Sequence, residues 1–170
     1  VMGIDRTAGM AFLKSQVAAG SALPMQGNVF LSIRDSDKEE LVPLARRLEK
    51  LGYSIYATLG TSTLLRGHGI KSRAIFRIAM GRPNVVDMIE EKDVGWIINT
   101  PSGGAEPMMD EVQMRAHATI RGIPVTTTLA GLRAALDGME SMKEFNRIEV
   151  CSLQEYHRHA PRIRLGKKAA

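Results

Sequence analysis

Cys151 is the only cysteine. A disulfide scaffold and a multi-cysteine zinc site are thereby excluded, and a reducing, cytoplasmic setting is expected. No apolar run approaches the roughly 20 residues needed to span a bilayer, so no membrane association is expected. No charged segment followed by an apolar one opens the chain, so no secretory leader is expected. Glycine-rich phosphate loops are missing too. Gly-x-Gly-x-x-Gly does not occur, and Lys14-Ser15 lacks the preceding glycines of a Walker loop. Dinucleotide cofactors and NTP hydrolysis of those types are therefore unsupported. His68, His117, His157 and His159 show no ligand spacing with a third group, so no metal is expected.

What is present suits one ordinary domain. Apolar residues make up 44% of 170, enough for a sizeable core. The net charge is +5, and residues 143–170 carry +4 of it. That tail could meet nucleic acid or an anionic surface. No aromatic side chain interleaves its final basic run, so nucleic acid is not expected as a partner; the expectation is a solvated, disordered terminus.

The chain opens Val1-Met2-Gly3-Ile4 and reads as starting inside a longer protein. Asp5 can cap a helix over 5–19, where Ala8, Ala11, Phe12, Ser15 and Ala19 recur at helical intervals. Gly20, Ser21 and Pro24 end it and form a linker. The expected organisation is a helical lead-in over 1–26, a main domain over 27–157 and a basic tail over 158–170.

Within the main domain strands and helices alternate. Strands are expected at 28–34, 53–57, 73–78, 94–98 and 123–127, with one more at the edge over 148–153. Ser36-x-x-Glu39 reads as a capping box opening the first helix of this part, and others are expected at 61–67, 83–91, 112–120 and 129–139. Leu41, Leu44, Ala45, Leu48 and Leu51 form an apolar stripe on the first, with Gly52 at its C-terminal cap. Leu132, Ala135, Leu136 and Met139 do the same on the last. Crossovers long enough for helices imply a mostly parallel five-stranded sheet covered on both faces, a Rossmann-like three-layer α/β sandwich.

In such folds ligands bind beyond the carboxyl ends of the strands. Here those ends carry hydroxyls, glycines and cations. The second strand runs into Thr58-Leu59-Gly60-Thr61-Ser62-Thr63, suited to an anion at a helix N-terminus. The fourth runs into Asn99-Thr100-Pro101-Ser102-Gly103-Gly104. Lys38 stands in the first turn of a helix, where a cation costs about 0.3 kcal/mol against the dipole. A nearby anion would resolve that conflict. The third strand ends around Arg77, with Arg82 just beyond. One phosphate could be shared by Lys38, Thr58, Thr61, Arg77 and Asn99. The same residue types are also the commonest in ordinary strand-to-helix turns, so spacing alone leaves both readings open.

An ordered set of motifs carries a resemblance. Val1-Met2-Gly3-Ile4-Asp5-Arg6-Thr7, with Ala11-Phe12 and Lys14-Ser15-Gln16, is similar to the last stretch of an ATP-grasp synthetase unit. Phe30-Leu31-Ser32-Ile33-Arg34-Asp35, Asp37-Lys38, Ala57-Thr58-Leu59-Gly60-Thr61, Gly81-Arg82-Pro83, Ile97-Ile98-Asn99-Thr100 and Thr127-Thr128-Leu129-Ala130-Gly131 follow in order. Ser152-Leu153-Gln154-Glu155-Tyr156-His157 closes the set. Together they resemble the C-terminal end of the large subunit of carbamoyl-phosphate synthetases, over about residues 1–157.

The resemblance implies a methylglyoxal synthase-like allosteric domain that binds UMP or IMP, with ornithine as a candidate further effector. The family's phosphate site falls on Lys38, Thr58, Thr61, Arg77, and Asn99 with Thr100. Arg77 stands where a lysine is common, which turns a point charge into a fork. Pro101 stands where many members have a second threonine. The resemblance further implies upstream synthetase units using ATP with Mg or Mn, a small glutamine amidotransferase subunit as partner, and a candidate homo-oligomer. No cofactor is expected in this stretch itself. The alternative is a lyase acting on a phosphorylated triose. That chemistry needs a carboxylate base beside the phosphate. The synthase pattern Gly-Gly-Asp after the third strand is replaced here by Gly81-Arg82, and Glu106 and Asp110 read as solvated carboxylates. A non-catalytic regulatory module is the expectation.

Overall fold

The computed structural model describes residues 1–101, 105–145, 148 and 150–159. Five strands form one sheet: β1 (Gly27–Ser32), β2 (Tyr53–Thr58), β3 (Arg73–Ile75), β4 (Trp96–Asn99) and β5 (Val125–Thr126). Their order is β3-β2-β1-β4-β5, and every neighbouring pair is parallel. The helices are α1 (Ala8–Ala18), α2 (Lys38–Leu51), α3 (Leu59–Gly67), α4 (Val85–Glu90), α5 (Ala105–Ile120), α6 (Leu129–Phe145) and α7 (Leu153–His159). From central β1 the chain steps outward to β2 and β3, then crosses back to β4 and β5. The strand order therefore reverses between β1 and β4, where crevices form in open α/β sheets.

Alternation along the strands assigns two cores. Val29, Leu31, Ile55, Ala57, Trp96 and Ile98 pack with α1, α2 and α6. Phe30 and Ile97 pack on the other face with Val85, Met88 and Ile89 of α4 and Met114 and Ala118 of α5. Trp96, Leu31, Leu48, Ile98 and Leu136 are fully buried, each worth about 1.5–3 kcal/mol in apolar transfer. The same alternation turns Ser32, Thr58 and Asn99, the last residues of β1, β2 and β4, toward the α4/α5 side. They stand at one level, because Ser32 pairs with Asn99 and Leu31 with Ala57.

The expected stripes on α2 and α6 are buried, and Gly52 closes α2 in the left-handed region at φ 96°. Four local expectations are corrected. Thr7, not Asp5, caps α1, its Oγ1 accepting from the Met10 N–H at 3.3 Å. The buried face of α1 is Gly9, Met10 and Leu13 rather than the alanine series. The reason is the crossing with α6, where a Cβ on Gly138 would lie 2.4 Å from the Gly9 carbonyl oxygen. Only glycine on both helices permits that approach.

The Ser36–Glu39 capping box does not form. Asp35–Asp37 makes a 3₁₀ turn, and the Ser36 hydroxyl donates to Asp37 instead. A capping box does form at α4. Asn84 Oδ1 accepts from the Val86 N–H, and Asp87 Oδ2 accepts from the Asn84 N–H. The edge strand over 148–153 is absent among the described residues; 146, 147 and 149 lie outside them. Val150 is 92% exposed, so its alternating pattern has no face to bury, and the chain turns helical at Leu153.

The lead-in is stapled to the C-terminal helix. Lys14 Nζ pairs with Asp5 at 2.6 Å and donates to the Tyr156 hydroxyl at 3.0 Å, which itself donates to the Ile4 carbonyl at 2.9 Å. Burial pushes Asp5 up, but hydrogen bonds from Lys14 and the Arg6 N–H outweigh it and hold the carboxyl below its ordinary range. A carboxyl lowered by folding stabilises at neutral pH, and the contribution is lost as pH falls through its folded value. Asp5→Asn is expected to cost on the order of 1 kcal/mol at pH 7. Urea melts of variant and wild type should converge near pH 2; a gap that persists there would assign the effect to packing.

Candidate functional site

The site grows from the carboxyl end of β2. Thr58 is the N-cap of α3 with extended backbone, yet its side chain does not cap the helix. Its hydroxyl donates instead to Thr61 Oγ1 at 3.2 Å, and Thr61 is buried. The first-turn N–H groups of α3 have no acceptor inside the helix. A cation stands beside this turn. A Cβ added to Gly60 would lie 3.1 Å from Lys38 Nζ, so glycine leaves room for the ammonium at this helix start. Lys38 Nζ also pairs with Asp35 at 2.6 Å, and the Asp35 side chain is 93% exposed. Lys38 first, and Arg77 more weakly, hold the Asp35 carboxyl below its ordinary range.

Arg77 is exposed, follows β3, and makes no ion pair among the described residues. It lines a solvent-open cleft with Ser32, Thr58, Phe76, Ile78, Asp110, Glu111 and Met114. The cleft lies between the ends of β1 and β2 and α5. Lys38, Thr58, Thr61 and Arg77 thus converge on one end of the sheet.

Asn99 and Thr100 lie at the same end, across β1 from Thr58, and both are buried. Asn99 Nδ2 donates to the Ser32 carbonyl at 3.3 Å, and its Oδ1 accepts from Arg115 Nη2 at 3.1 Å. The Thr100 hydroxyl accepts from the Arg34 N–H at 2.9 Å and donates to Asp37. Both therefore have partners that help shape the β1/β4 end. Ser102, Gly103 and Gly104 lie outside the described residues, as does the tail from residue 160. Arg82 is turned away, 83% exposed and 3.4 Å from Asp87. His68 meets the Leu64 carbonyl, and His117 meets Glu90.

Sequence reasoning missed Asp35 as Lys38's partner, and it missed Arg115. Arg115 also pairs with buried Glu111 at 3.4 Å, and its Nε is buried without a hydrogen-bond partner among the described residues. The signal for that pair was its spacing of four on a helix, which by itself reads as an ordinary surface pair.

The family model described as MGS-like domain matches residues 40–127, which contain Thr58, Thr61, Arg77, Asn99 and Thr100. The chain belongs to the MGS-like domain family. Curated relatives match it over more of its length. The protein named carbamoyl phosphate synthase large chain, C-terminal section, from Methanopyrus kandleri is 41% identical over 158 residues, 93% of this chain and 29% of that protein. Its namesake from Aquifex aeolicus is 40% identical over 161 residues, 92% of this chain and 30% of that protein. The carbamoyl phosphate synthase large chain of Pasteurella multocida is 42% identical over 157 residues, 92% of this chain and 14% of that protein. The chain thus spans under a third of the length of these relatives. Methylglyoxal synthase from Elizabethkingia anophelis NUHP1 superposes with a TM-score of 0.54 at 16% identity, over 67% of this chain and 79% of that one. At that identity the likeness establishes the shared MGS-like fold. No helix among the described residues is long and apolar enough to cross a membrane.

Proposed function

We propose that this MGS-like domain is the allosteric module of a carbamoyl-phosphate synthase large chain, and that it binds a nucleoside monophosphate such as UMP or IMP. The observation that carries the reading is Lys38 Nζ beside Gly60, at a helix start whose threonine N-cap makes no side-chain cap hydrogen bond among the described residues. A phosphate there would accept from the α3 amides, the Thr58 and Thr61 hydroxyls, Lys38 and the Arg77 fork. Asn99 at the end of β4 and Thr100 just after it support the site from within, held by Ser32, Arg115, Arg34 and Asp37. The solvent-open cleft beside it offers Phe76, Ile78 and Met114 as apolar surface for a base.

The relatives' name supplies the wider reading. The intact protein would make carbamoyl phosphate from bicarbonate, ATP and glutamine-derived ammonia, for pyrimidine and arginine synthesis. Its upstream units would hold ATP with Mg or Mn, and a small amidotransferase subunit would deliver the ammonia. Ornithine is a candidate second effector, and self-association a candidate assembly. The effector acts by binding one conformation of the subunit better than another. α1, which shares a core with α6 and is stapled to α7, is positioned to pass that preference toward its N-terminal side.

The lyase reading has less support. Asp87, the carboxylate that follows Gly81-Arg82, is committed to the Asn84 cap. Calorimetric titration of the 170-residue chain with UMP, IMP and ornithine tests the proposal. The expected result is saturable binding of at least one nucleotide, with no methylglyoxal formed from dihydroxyacetone phosphate. Turnover of that triose, or no heat with either nucleotide, overturns it.

A further inference from the structure

We propose that the Asp35 carboxylate is an internal competitor for Lys38, occupying the ammonium that would otherwise engage the ligand's phosphate and thereby weakening the site. The inference rests on the anion-site reading above and adds a residue to it. The geometry is direct. Asp35 Oδ1 lies 2.6 Å from Lys38 Nζ, the same nitrogen that stands beside Gly60 at the start of α3. A phosphate seated on those amides must either share Lys38 with a like-charged carboxylate beside it or displace that carboxylate.

The neighbouring acid shows that displacement concerns Asp35 in particular. Asp37, two residues on, has a side chain only 17% exposed and is held by Arg34 at 2.8 Å. Ser36 also donates to it, at 3.0 Å. Asp37 is fixed in the β1/β4 end of the fold. Asp35 has a side chain 93% exposed, and Lys38 is its one side-chain partner among the described residues. It can swing into water without leaving a buried group unpaired. Arg77 also acts on Asp35 through its charge, so the carboxylate lies in the field of the two cations assigned to the phosphate. Releasing it raises the local charge of the Asp35, Lys38 and Arg77 group by one unit. The affinity of the site is then a difference between two anions competing for one ammonium, not the full strength of the cradle.

The test is calorimetric titration of the 170-residue chain with UMP and, separately, with inorganic phosphate. Wild type, Asp35→Asn, Asp35→Ser, Lys38→Ala and the double variant Asp35→Asn with Lys38→Ala are compared, each with a thermal melt. Both single variants should bind UMP and phosphate about fivefold tighter than wild type, equivalent to about 1 kcal/mol. The gain should vanish when Lys38 is absent, because the pair is then already broken. Equal or weaker binding by both single variants, beside a wild type that binds, overturns the inference while the anion site stands. A lower melting temperature with unchanged affinity assigns Asp35 to the start of α2 alone, and also overturns it. No binding of either probe by any variant removes the anion site itself and the inference with it.

Discussion

Lys38→Ala is expected to weaken UMP binding to the isolated chain about 30-fold, because it removes one charge-assisted hydrogen bond worth about 2 kcal/mol. The lysine side chain is 23% exposed, so its charge is partly shielded from solvent and its loss is not offset by bulk screening. The stability cost should be slight. Its ion-pair partner Asp35 remains in water, and surface pairs of this kind contribute about 0–1 kcal/mol. A calorimetric Kd measured beside a thermal melt separates the two effects. Lys38→Met keeps the apolar stem and should lose the same affinity, which isolates the charge from packing. A Kd unchanged in both variants would place the anion site elsewhere.

Gly138→Val is expected to destabilise the fold by about 3 kcal/mol. Two opposing terms decide the sign. Replacing an interior helix glycine gains up to about 1 kcal/mol in helix propensity, somewhat less for a β-branched residue. Against this, the new Cβ would meet the Gly9 carbonyl oxygen at 2.4 Å and Leu13 Cγ at 2.6 Å. The first of these is backbone and cannot rotate away. α1 and α6 must separate, which loosens Met10, Leu13 and Met139 in the shared core, and overpacking of this kind typically costs about 1–3 kcal/mol or more. Urea melts should show a lower midpoint, and amide exchange should accelerate first in α1. A variant as stable as wild type would mean the two helices do not cross at these glycines.

Of the two variants, the first probes something legible in the sequence and the second something that was not. Lys38, Thr58 and Thr61 could be picked out because the strand-to-helix alternation predicts where strand ends fall, and ligand groups gather at those ends. The stripes of α2 and α6 were legible because a 3.6-residue period is a local property of the chain. Gly9 and Gly138 were not, because a close approach between helices 129 residues apart leaves no periodic trace. The same holds for Thr7 displacing Asp5 as the cap of α1, since Asp5 is drawn away by Lys14, which in turn is held by Tyr156. Asp35 was visible only as part of a motif. Its pairing with Lys38 needed the 3₁₀ turn that brings residues three apart together.

By itself the sequence determined the fold class, the parallel sheet with its strand-end groups, and, through the ordered motifs, membership of the MGS-like family. Periodicity, turn residues and motif order are all written along the chain, so no contact is needed to read them. Tertiary structure alone decided which helix faces are buried at the α1/α6 crossing, which hydroxyls are already engaged, and that the cation beside α3 shares its charge with Asp35. Those outcomes depend on distances between residues far apart in the chain or across a turn, and such distances exist only after folding.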